Sequence, residues 1–185
     1  SGRTAWGVMK TVVIANQADP VEVQTNKRVL DAVLATEANI PMACGGKGLC
    51  ATCHVFVESG MDKLSPVTPR ERMSLTMLTD ARPTSRLSCQ AKVLGQGVRI
   101  SLPSGRYIDG TADLESLIGR RAEQRILHPV DGRILIEAGK IITRSRIKEL
   151  SFVDIDIADM KTRSLSVGHA EALSGMARNR QEPRK

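Results

Sequence analysis

Aromatic residues are scarce in this sequence and make up only 2% of it. A folded core must therefore be built from valine, isoleucine, leucine and methionine, and platforms for stacking nucleic-acid bases are few. The sequence also has no apolar run long enough to span a bilayer. Residues 1–6 lack the apolar stretch of a secretory signal, and the missing initiator methionine indicates processing or a remnant of expression.

Cysteine is rare as well, with four residues in a chain of 185. Cys44, Cys50 and Cys53 follow the pattern C-x5-C-x2-C, and Cys89 stands alone further along the chain. Four thiolates can hold a [2Fe–2S] cluster, two on each iron. The three glycines between Cys44 and Cys50 would let the backbone wrap around an anion with its amides pointing inward. The pattern therefore predicts one iron–sulfur cluster.

Two other uses of these cysteines remain open. Disulfides are typical of secreted, cysteine-dense domains, and this chain has neither property. Zinc is the stronger alternative, because Cys50-x2-Cys53 has the spacing of half a zinc site. However, Cys44 and Cys89 form no second close pair in the sequence, and a zinc site gains nothing from the loop glycines. Cysteines kept as metal ligands indicate a reducing compartment, which we expect to be the cytoplasm.

The loop from Cys44 to Cys53, the following His54 and the segment Arg86-Leu87-Ser88-Cys89-Gln90 together resemble [2Fe–2S] ferredoxins. The five-residue first gap is similar to the adrenodoxin-like branch, which includes the iron–sulfur-assembly ferredoxins, and differs from the plant-type gap of four. The glycine-rich loop also resembles ferredoxin modules fused to bacterial adenylate cyclases. The resemblance covers residues 10–103. It implies an α+β fold, in which a β-grasp ferredoxin-like domain is followed here by a small α/β extension and a basic tail.

The resemblance implies a one-electron carrier that shuttles between a reductase and an acceptor and is not itself an enzyme. It gives no catalytic residue, one [2Fe–2S] cluster, and four ligands: Cys44, Cys50, Cys53 and Cys89. The first two of these should hold the iron nearer the surface, and the other two the inner iron. His54 is expected to have a structural role close to the loop. Partner contacts are expected at Ala43, Lys47, Leu49 and Ala51.

The net charge of +7 is unusual for the family that the sequence resembles, whose members are usually acidic. It favours redox partners with an acidic docking face, or docking through another surface. A basic chain can also bind nucleic acid or anionic membranes. The scattered charges and the few aromatic residues argue against nucleic acid. Lys47 is expected either to favour the reduced cluster or to be an ordinary solvated lysine.

Hydrophobic periodicity predicts the elements of the first domain, residues 1–103. Strands are predicted at 10–15, 21–25, 54–58, 86–93 and 97–103. A first helix should begin after Thr25 or Asn26 and end near residues 38–39, with an apolar face formed by Val29, Leu30, Val33 and Leu34. A second helix should begin after Thr68, with Pro69 at its first position. Its methionines are expected mainly to fill the core, although a soft docking surface is the alternative.

Residues 104–163 are predicted to form a second, accessory unit. We expect a helix after Thr111 or Asp113, strands at 133–136 and 140–142, and a short helix at 143–150. Residues 153–157 alternate between apolar and acidic, which predicts a strand whose aspartates face water. No catalytic constellation is evident, so we interpret the unit as a docking, dimerisation or regulatory module. If the cluster state controlled this module, the protein would instead be a redox sensor or a structural subunit. Residues 164–185 are predicted to be a flexible basic tail.

Overall fold

The computed structural model describes residues 9–38 and 40–179, and gives only the backbone for residues 174–179. Residues 1–8 and 180–185 therefore lie outside the described part, as does Asn39, near which the first helix was expected to end. None of the helices within the described ranges is long and apolar enough to cross a membrane.

A five-stranded mixed sheet forms the first half of the fold. Its strands are β1 (Met9–Ile14), β2 (Val21–Gln24), β3 (His54–Ser59), β4 (Ser85–Leu87) and β5 (Val98–Ser101), in the spatial order β2-β1-β5-β3-β4. β1 runs parallel to β5, and the other neighbouring pairs are antiparallel. This is the order of a β-grasp sheet, and together with the helices packed on it confirms the predicted α+β class.

Helix α1 (Val29–Leu34) covers one face of this sheet. Val29 and Val33 pack in the same core as Val12, Val98 and other β-branched residues of β1, β3 and β5. The predicted cap at Thr25 or Asn26 was wrong. Asn26 adopts a positive φ of 72°, so the chain turns there, and the helix begins only after Arg28. The last residue of the expected apolar face, Leu34, is 42% exposed.

Helix α2 (Pro69–Met77) begins as predicted, with Pro69 at its first position. The Thr68 hydroxyl accepts a hydrogen bond from the Glu71 N–H at 3.2 Å. The expectation that its methionines fill the core was wrong, because Met73 is 72% exposed and Met77 is 67% exposed. The residue of α2 that is buried is Glu71. The helix therefore packs through a carboxylate and presents its methionines to solvent.

The buried side of α2 is held by an ion pair with β4. Arg86 Nε donates to Glu71 Oε1 at 2.7 Å and Arg86 Nη2 donates to Oε2 at 3.1 Å. The Leu87 N–H donates to the same Oε1 at 3.0 Å. Both charged side chains are buried, with exposures of 2% and 0%. This pair fixes α2 against the strand that leads to Cys89.

Strand β4 is shorter than the strand predicted at 86–93. It ends at Leu87, and the chain then turns, with the N–H groups of Gln90 and Ala91 both donating to the Leu87 carbonyl. Cys89 thus lies in a turn rather than on a strand. A turn lets the thiol of Cys89 reach back towards the 44–53 loop, which the extended direction of β4 would not allow.

The extension after residue 103 has its own three-stranded sheet, formed by β6 (Arg106–Tyr107), β7 (Ile126–Leu127) and β8 (Ile134–Ile136). The predicted strand at 133–136 corresponds to β8, and the helix expected after residue 111 is a 3₁₀ helix, Thr111–Leu117. The strand predicted at 140–142 is only an isolated bridge between Arg121 and Ile141. Helix α3 (Arg144–Glu149) is capped by Thr143, as expected for the short helix at 143–150.

The strand predicted at 153–157 was wrong, because these residues begin helix α4 (Phe152–Asn179). Val153, Ile157 and Met160 are buried at helical spacing, whereas Ile155 is 64% exposed. Its aspartates also make contacts within the protein instead of only facing water. Asp154 Oδ1 accepts from the Thr111 N–H at 2.9 Å, and Asp156 Oδ2 lies 2.8 Å from His128 Nε2.

The flexible tail predicted for residues 164–185 was also wrong as far as residue 179. Helix α4 continues to Asn179. Its middle part contacts the first half of the fold, because the Ser164 hydroxyl donates to the Cys44 carbonyl at 2.7 Å. Further along, Glu171 Oε1 lies 2.6 Å from Arg70 Nη1 of α2. These contacts order a segment whose composition alone indicates a solvated terminus.

Candidate metal centre

The loop from Cys44 to Cys53 folds around its own sulfur atoms. Gly45, Gly46 and Gly48 all have positive φ, between 68° and 78°, which other residues rarely adopt. These turns direct backbone amides at the cysteines. The N–H groups of Gly46, Lys47 and Leu49 donate to the Cys44 sulfur, and that of Gly48 donates to the Cys89 sulfur. The loop is therefore a concave site for negative charge.

The structure brings all four predicted cysteines together, and none forms a disulfide. Cys44 and Cys50 form one pair, with their sulfur atoms 3.4 Å apart. Cys53 and Cys89 form a second pair that shares a hydrogen bond. Within residues 9–38 and 40–179, no three His, Cys, Asp or Glu side chains are placed to hold a single metal ion. Two separate pairs suit two bridged irons better than one tetrahedral zinc ion.

The pKa values of the four thiols diverge within each pair. The hydrogen bond from Cys50, helped by the loop amides, lowers the pKa of Cys44 to about 5. The pKa of Cys50 is raised, first because its thiol is the donor in that bond and then by burial. In the same way the pKa of Cys89 is lowered by its bond with Cys53, while the pKa of Cys53 is raised. Two thiolates this close together repel each other, so a cation is needed to hold both sulfurs of a pair in the charged form.

All four cysteines are buried, and the expectation that Cys44 and Cys50 hold the iron nearer the surface stays a prediction. Cys44 is 1% exposed and Cys50 is 2% exposed, while Cys89 is 4% exposed. The reason is the extension. The cluster-loop cysteines Cys44 and Cys50 belong to the same apolar core as residues of the 3₁₀ helix, β7, β8 and α4, among them Leu114, Ile136, Val153, Ile157 and Met160.

Backbone contacts also join the extension to the loop. The Ala51 N–H donates to the Pro129 carbonyl at 2.9 Å, and the Thr79 N–H donates to the Asp131 carbonyl at 2.9 Å. Ala51 is fully buried as a result, so the expectation that it contacts a partner was wrong. Of the other expected contact residues, Ala43, Lys47 and Leu49 are half-buried.

A cleft of about 420 Å³ remains open beside Cys50. Leu49, Met73 and Met77 give it an apolar side, and α4 forms part of the opposite side. Its charged side chains are largely paired with one another, since Arg133 lies 3.3 Å from both Asp131 and Asp156. The cleft reaches Cys50, although the Cys50 side chain itself is only 2% exposed.

Two polar side chains next to the sulfurs were not identified from the sequence. Thr52 Oγ1 lies 3.0 Å from the Cys50 sulfur. Gln90 Nε2 donates to the Gly46 carbonyl at 3.2 Å and lies 3.5 Å from the Cys89 sulfur. Gln90 thereby ties the distant cysteine to the loop. The sequence could have indicated both residues, because Thr52 directly precedes Cys53 and Gln90 directly follows Cys89.

His54 has the structural role that was expected. Its Nε2 lies 2.7 Å from Ser85 Oγ, which links β3 to β4. The ring also packs edge-on against Phe56, with the centroids 4.7 Å apart. Burial lowers the pKa of His54 to about 4, so the imidazole is neutral at physiological pH.

The buried His128 of the extension pairs with Asp156 rather than with a nucleophile. Its Nδ1 accepts from the Val130 N–H at 3.0 Å, which leaves Nε2 to donate to Asp156 Oδ2 at 2.8 Å. Arg133 Nη2 donates to the same oxygen at 3.3 Å. This network joins α4 to the turn before β8, and we interpret it as a structural contact.

Lys47 packs on α4 and is not simply solvated. A methyl group added at Gly168 would lie only 2.9 Å from Lys47 Cε and 3.4 Å from Nζ. The side chain of Lys47, which is part of the loop between Cys44 and Cys53, therefore lies against α4. A fixed cation there stabilises negative charge on the sulfur atoms.

Lys47→Glu is expected to lower the midpoint potential of the cluster, because it replaces a cation by an anion near the added electron. With the dielectric constant of water and a separation on the order of 10 Å, the shift is about 30 mV. The measurement is a spectroscopic redox titration. Lys92→Glu, an exposed change in the same domain, is the control and should move the potential much less. Equal potentials for Lys47→Glu and the unmodified protein would show that Lys47 does not tune the cluster.

Comparison with known proteins gives matches over the first half of the chain. The profile of the family described as "2Fe-2S iron-sulfur cluster binding domain" matches residues 12–94. A 2Fe-2S ferredoxin of Pseudomonas aeruginosa is 34% identical over 101 residues, which are 51% of this chain and 90% of that protein. Rhodocoxin of Rhodococcus erythropolis is 41% identical over 88 residues, which are 45% of this chain and 82% of the length of rhodocoxin.

Among solved structures, the ISC-like [2Fe–2S] ferredoxin of Pseudomonas putida is 27% identical to this chain. The two structures align over 51% of this chain and 91% of the Pseudomonas putida chain, with a TM-score of 0.45.

Proposed function

This chain belongs to the 2Fe-2S ferredoxin family through its N-terminal half, and on that premise we propose that it carries single electrons between a reductase and an acceptor. Members of the family bind one [2Fe–2S] cluster, and the four cysteines here are consistent with it. The observation that carries the proposal is the convergence of two cysteine pairs inside a ring of backbone amides.

We propose Cys44 and Cys50 as ligands of one iron, and Cys53 and Cys89 as ligands of the other. The cluster supplies reversible one-electron chemistry. The residues of the chain set the conditions for it. Amides of the loop donate to the sulfurs, which stabilises the more negative reduced state and raises the midpoint potential. Burial of the site opposes this effect, because it removes water from the negative charge.

The extension, residues 104–163 with the adjoining part of α4, is proposed to be an accessory unit that controls access to the cluster. Its contacts with Cys44, Ala51 and Arg70 support this role, because they cover the side of the loop that was expected to face partners. We propose that the electron passes through the cleft beside Cys50, since Cys50 lines that cleft. Free buried thiols also favour the cytoplasm as the location.

A second candidate is a redox sensor in which the cluster state controls the extension. The observation in its favour is the shared core, because Cys44 and Cys50 pack directly against α4 and its neighbours. Adding an electron to the cluster would then change the charge against which the extension is packed. Complex formation or dimerisation through residues 104–163 would be the output.

One experiment separates the two candidates. The holoprotein is mixed with a ferredoxin reductase and NADPH or NADH, and reduction of cytochrome c is followed. Rapid, cluster-dependent turnover is expected for a carrier. A cluster that is reduced but passes no electrons on, together with a change in oligomeric state between the oxidised and reduced forms, would instead support the sensor.

A further inference from the structure

The extension carries a basic face on the side of two paired segments, 119–122 and 139–142. The Gly119 N–H donates to the Ile142 carbonyl and the Ala122 N–H donates to the Lys140 carbonyl, both at 2.8 Å. Between these bonds, Arg121 and Ile141 are direct bridge partners. Bridge partners project their side chains to the same side, so an arginine and an isoleucine stand next to each other there.

Helix α3 continues this face. Arg144 and Lys148, which are one turn apart, line a groove of about 420 Å³ together with Ile118 and Ile147. One acidic residue, Glu115, also lines it. Two apolar side chains of the face are accessible, since Ile118 is 36% exposed and Ile141 is 49% exposed. We call the set Ile118, Arg121, Ile141, Arg144 and Lys148 the basic face.

Most cations of this face have no acidic partner. Nearby, Arg125 pairs with Glu137 and Arg146 pairs with Glu149. Among the described residues, no ion pair involves the exposed cations Arg144 and Lys148 of the basic face. Arg121 donates to the Gly139 carbonyl at 3.0 Å. Unpaired cations around exposed isoleucines have the composition of a docking surface with an apolar centre and a charged rim.

The surroundings of Cys50 do not offer a comparable charge. Arg133 is paired with Asp131 and Asp156, and Arg70 is paired with Glu171. The cleft is therefore close to neutral, and it supplies little long-range attraction for a charged partner. Steering of a partner over a distance requires an unbalanced charge, which the basic face provides.

We infer that the basic face docks an acidic, partly apolar surface of the redox partner, an inference that rests on the proposed carrier function for the identity of that partner. Charge complementarity selects an acidic surface, and the isoleucines require apolar side chains opposite them. Nucleic acid fits less well, because the described aromatic residues of the extension are engaged elsewhere. Tyr107 packs against the core that contains Cys53, and Phe152 lies under Arg133.

The test uses the full-length holoprotein and a fluorescein-labelled acidic peptide that contains leucine and isoleucine, with binding followed by anisotropy. The face variant is Arg144→Glu/Lys148→Glu, which changes the two cations of the groove. The control is Lys27→Glu/Lys92→Glu, which changes the net charge by the same amount at two exposed lysines of the first domain. The unmodified protein should bind, with an affinity that falls as salt is added. The face variant should bind at least about tenfold more weakly, and the control within about twofold.

Equal weakening by both variants would mean that net charge alone attracts the peptide, and this would overturn the inference. Absence of binding by the unmodified protein would do the same. The unmodified protein could instead bind a DNA duplex or phosphatidylserine vesicles more tightly than the peptide. If the face variant alone lost that binding, the face would belong to another class of partner, and the inference would be overturned. Visible absorption and reduction by dithionite should be equal in all three proteins. A failure of the carrier function would appear as loss of cytochrome c reduction and leave peptide binding intact.

Discussion

Replacing Cys89 by alanine is expected to leave a chain that cannot hold a stable [2Fe–2S] cluster. Cys89 lies in the turn after β4, and its sulfur is paired with Cys53. Without it, one iron would have a single protein thiolate, because alanine supplies no ligand. Bound iron should fall from about two atoms per chain to nearly none after anaerobic reconstitution. Iron and acid-labile sulfide assays, with the visible spectrum, measure this directly.

Ser88→Ala is the matched control for that experiment. It changes the neighbouring residue, whose buried hydroxyl has no hydrogen-bond partner within the described part of the chain. Removing such a group should cost little. The control should therefore load as much iron as the unmodified protein. A Cys89→Ala protein that retains two irons and its colour would remove Cys89 from the ligand set.

Replacing Glu71 by alanine should destabilise the fold by about 3–5 kcal/mol, because it leaves a buried guanidinium without its counter-ion. Glu71 accepts three hydrogen bonds, two from Arg86 and one from the Leu87 N–H. All of these donors would be buried and unpaired in the variant. Urea denaturation of the holoprotein under anaerobic conditions gives the change in the free energy of unfolding.

Glu58→Ala provides the comparison, because it breaks an ion pair of similar geometry at the surface. Arg99 Nε lies 2.7 Å from Glu58 Oε2, as in the buried pair, but these side chains are 51% and 40% exposed. The loss there should be at most about 1 kcal/mol. Similar losses for the two variants would show that burial of Glu71 and Arg86 contributes little to stability. The double change Glu71→Leu/Arg86→Met should recover much of the loss, since it removes both charges together.

The first half of this fold could be predicted well from the sequence, for reasons that are local. Each of the strands β1, β2 and β3 contains at least two β-branched residues, and Thr68 with Pro69 defines the start of α2 without reference to the rest of the chain. The cysteine loop is equally local, since its spacing and glycines indicate an anion-binding bend. Cys89 was joined to the loop because a cluster needs four thiolates and the sequence has only one further cysteine.

The long helix could not be predicted, because its first residues satisfy two periodicities. Val153, Ile155 and Ile157 alternate as in a strand, while Val153, Ile157 and Met160 have helical spacing. The sequence alone does not decide between these patterns. The decision comes from tertiary contacts, in which the second set packs in the core that includes Cys44 and Cys50.

The contacts that cover the loop also carry no sequence signal. Ser164 and Gly168 are ordinary helical residues, and they matter only because the Cys44 carbonyl and Lys47 lie opposite them. The ion pair of Glu71 with Arg86 is similar. Neither residue is identified by the sequence as one half of a buried pair, and burial of the pair depends on how α2 meets β4.

The position of α4 has a consequence for how the protein matures. This helix is the last described element to leave the ribosome. Ser164 cannot donate its hydrogen bond to the Cys44 carbonyl of the loop until the helix has been synthesised. In the finished fold, Cys44 and Cys50 are only 1% and 2% exposed. Iron and sulfide must therefore be inserted either into the nascent chain, before the helix arrives, or during an opening that lifts the helix away.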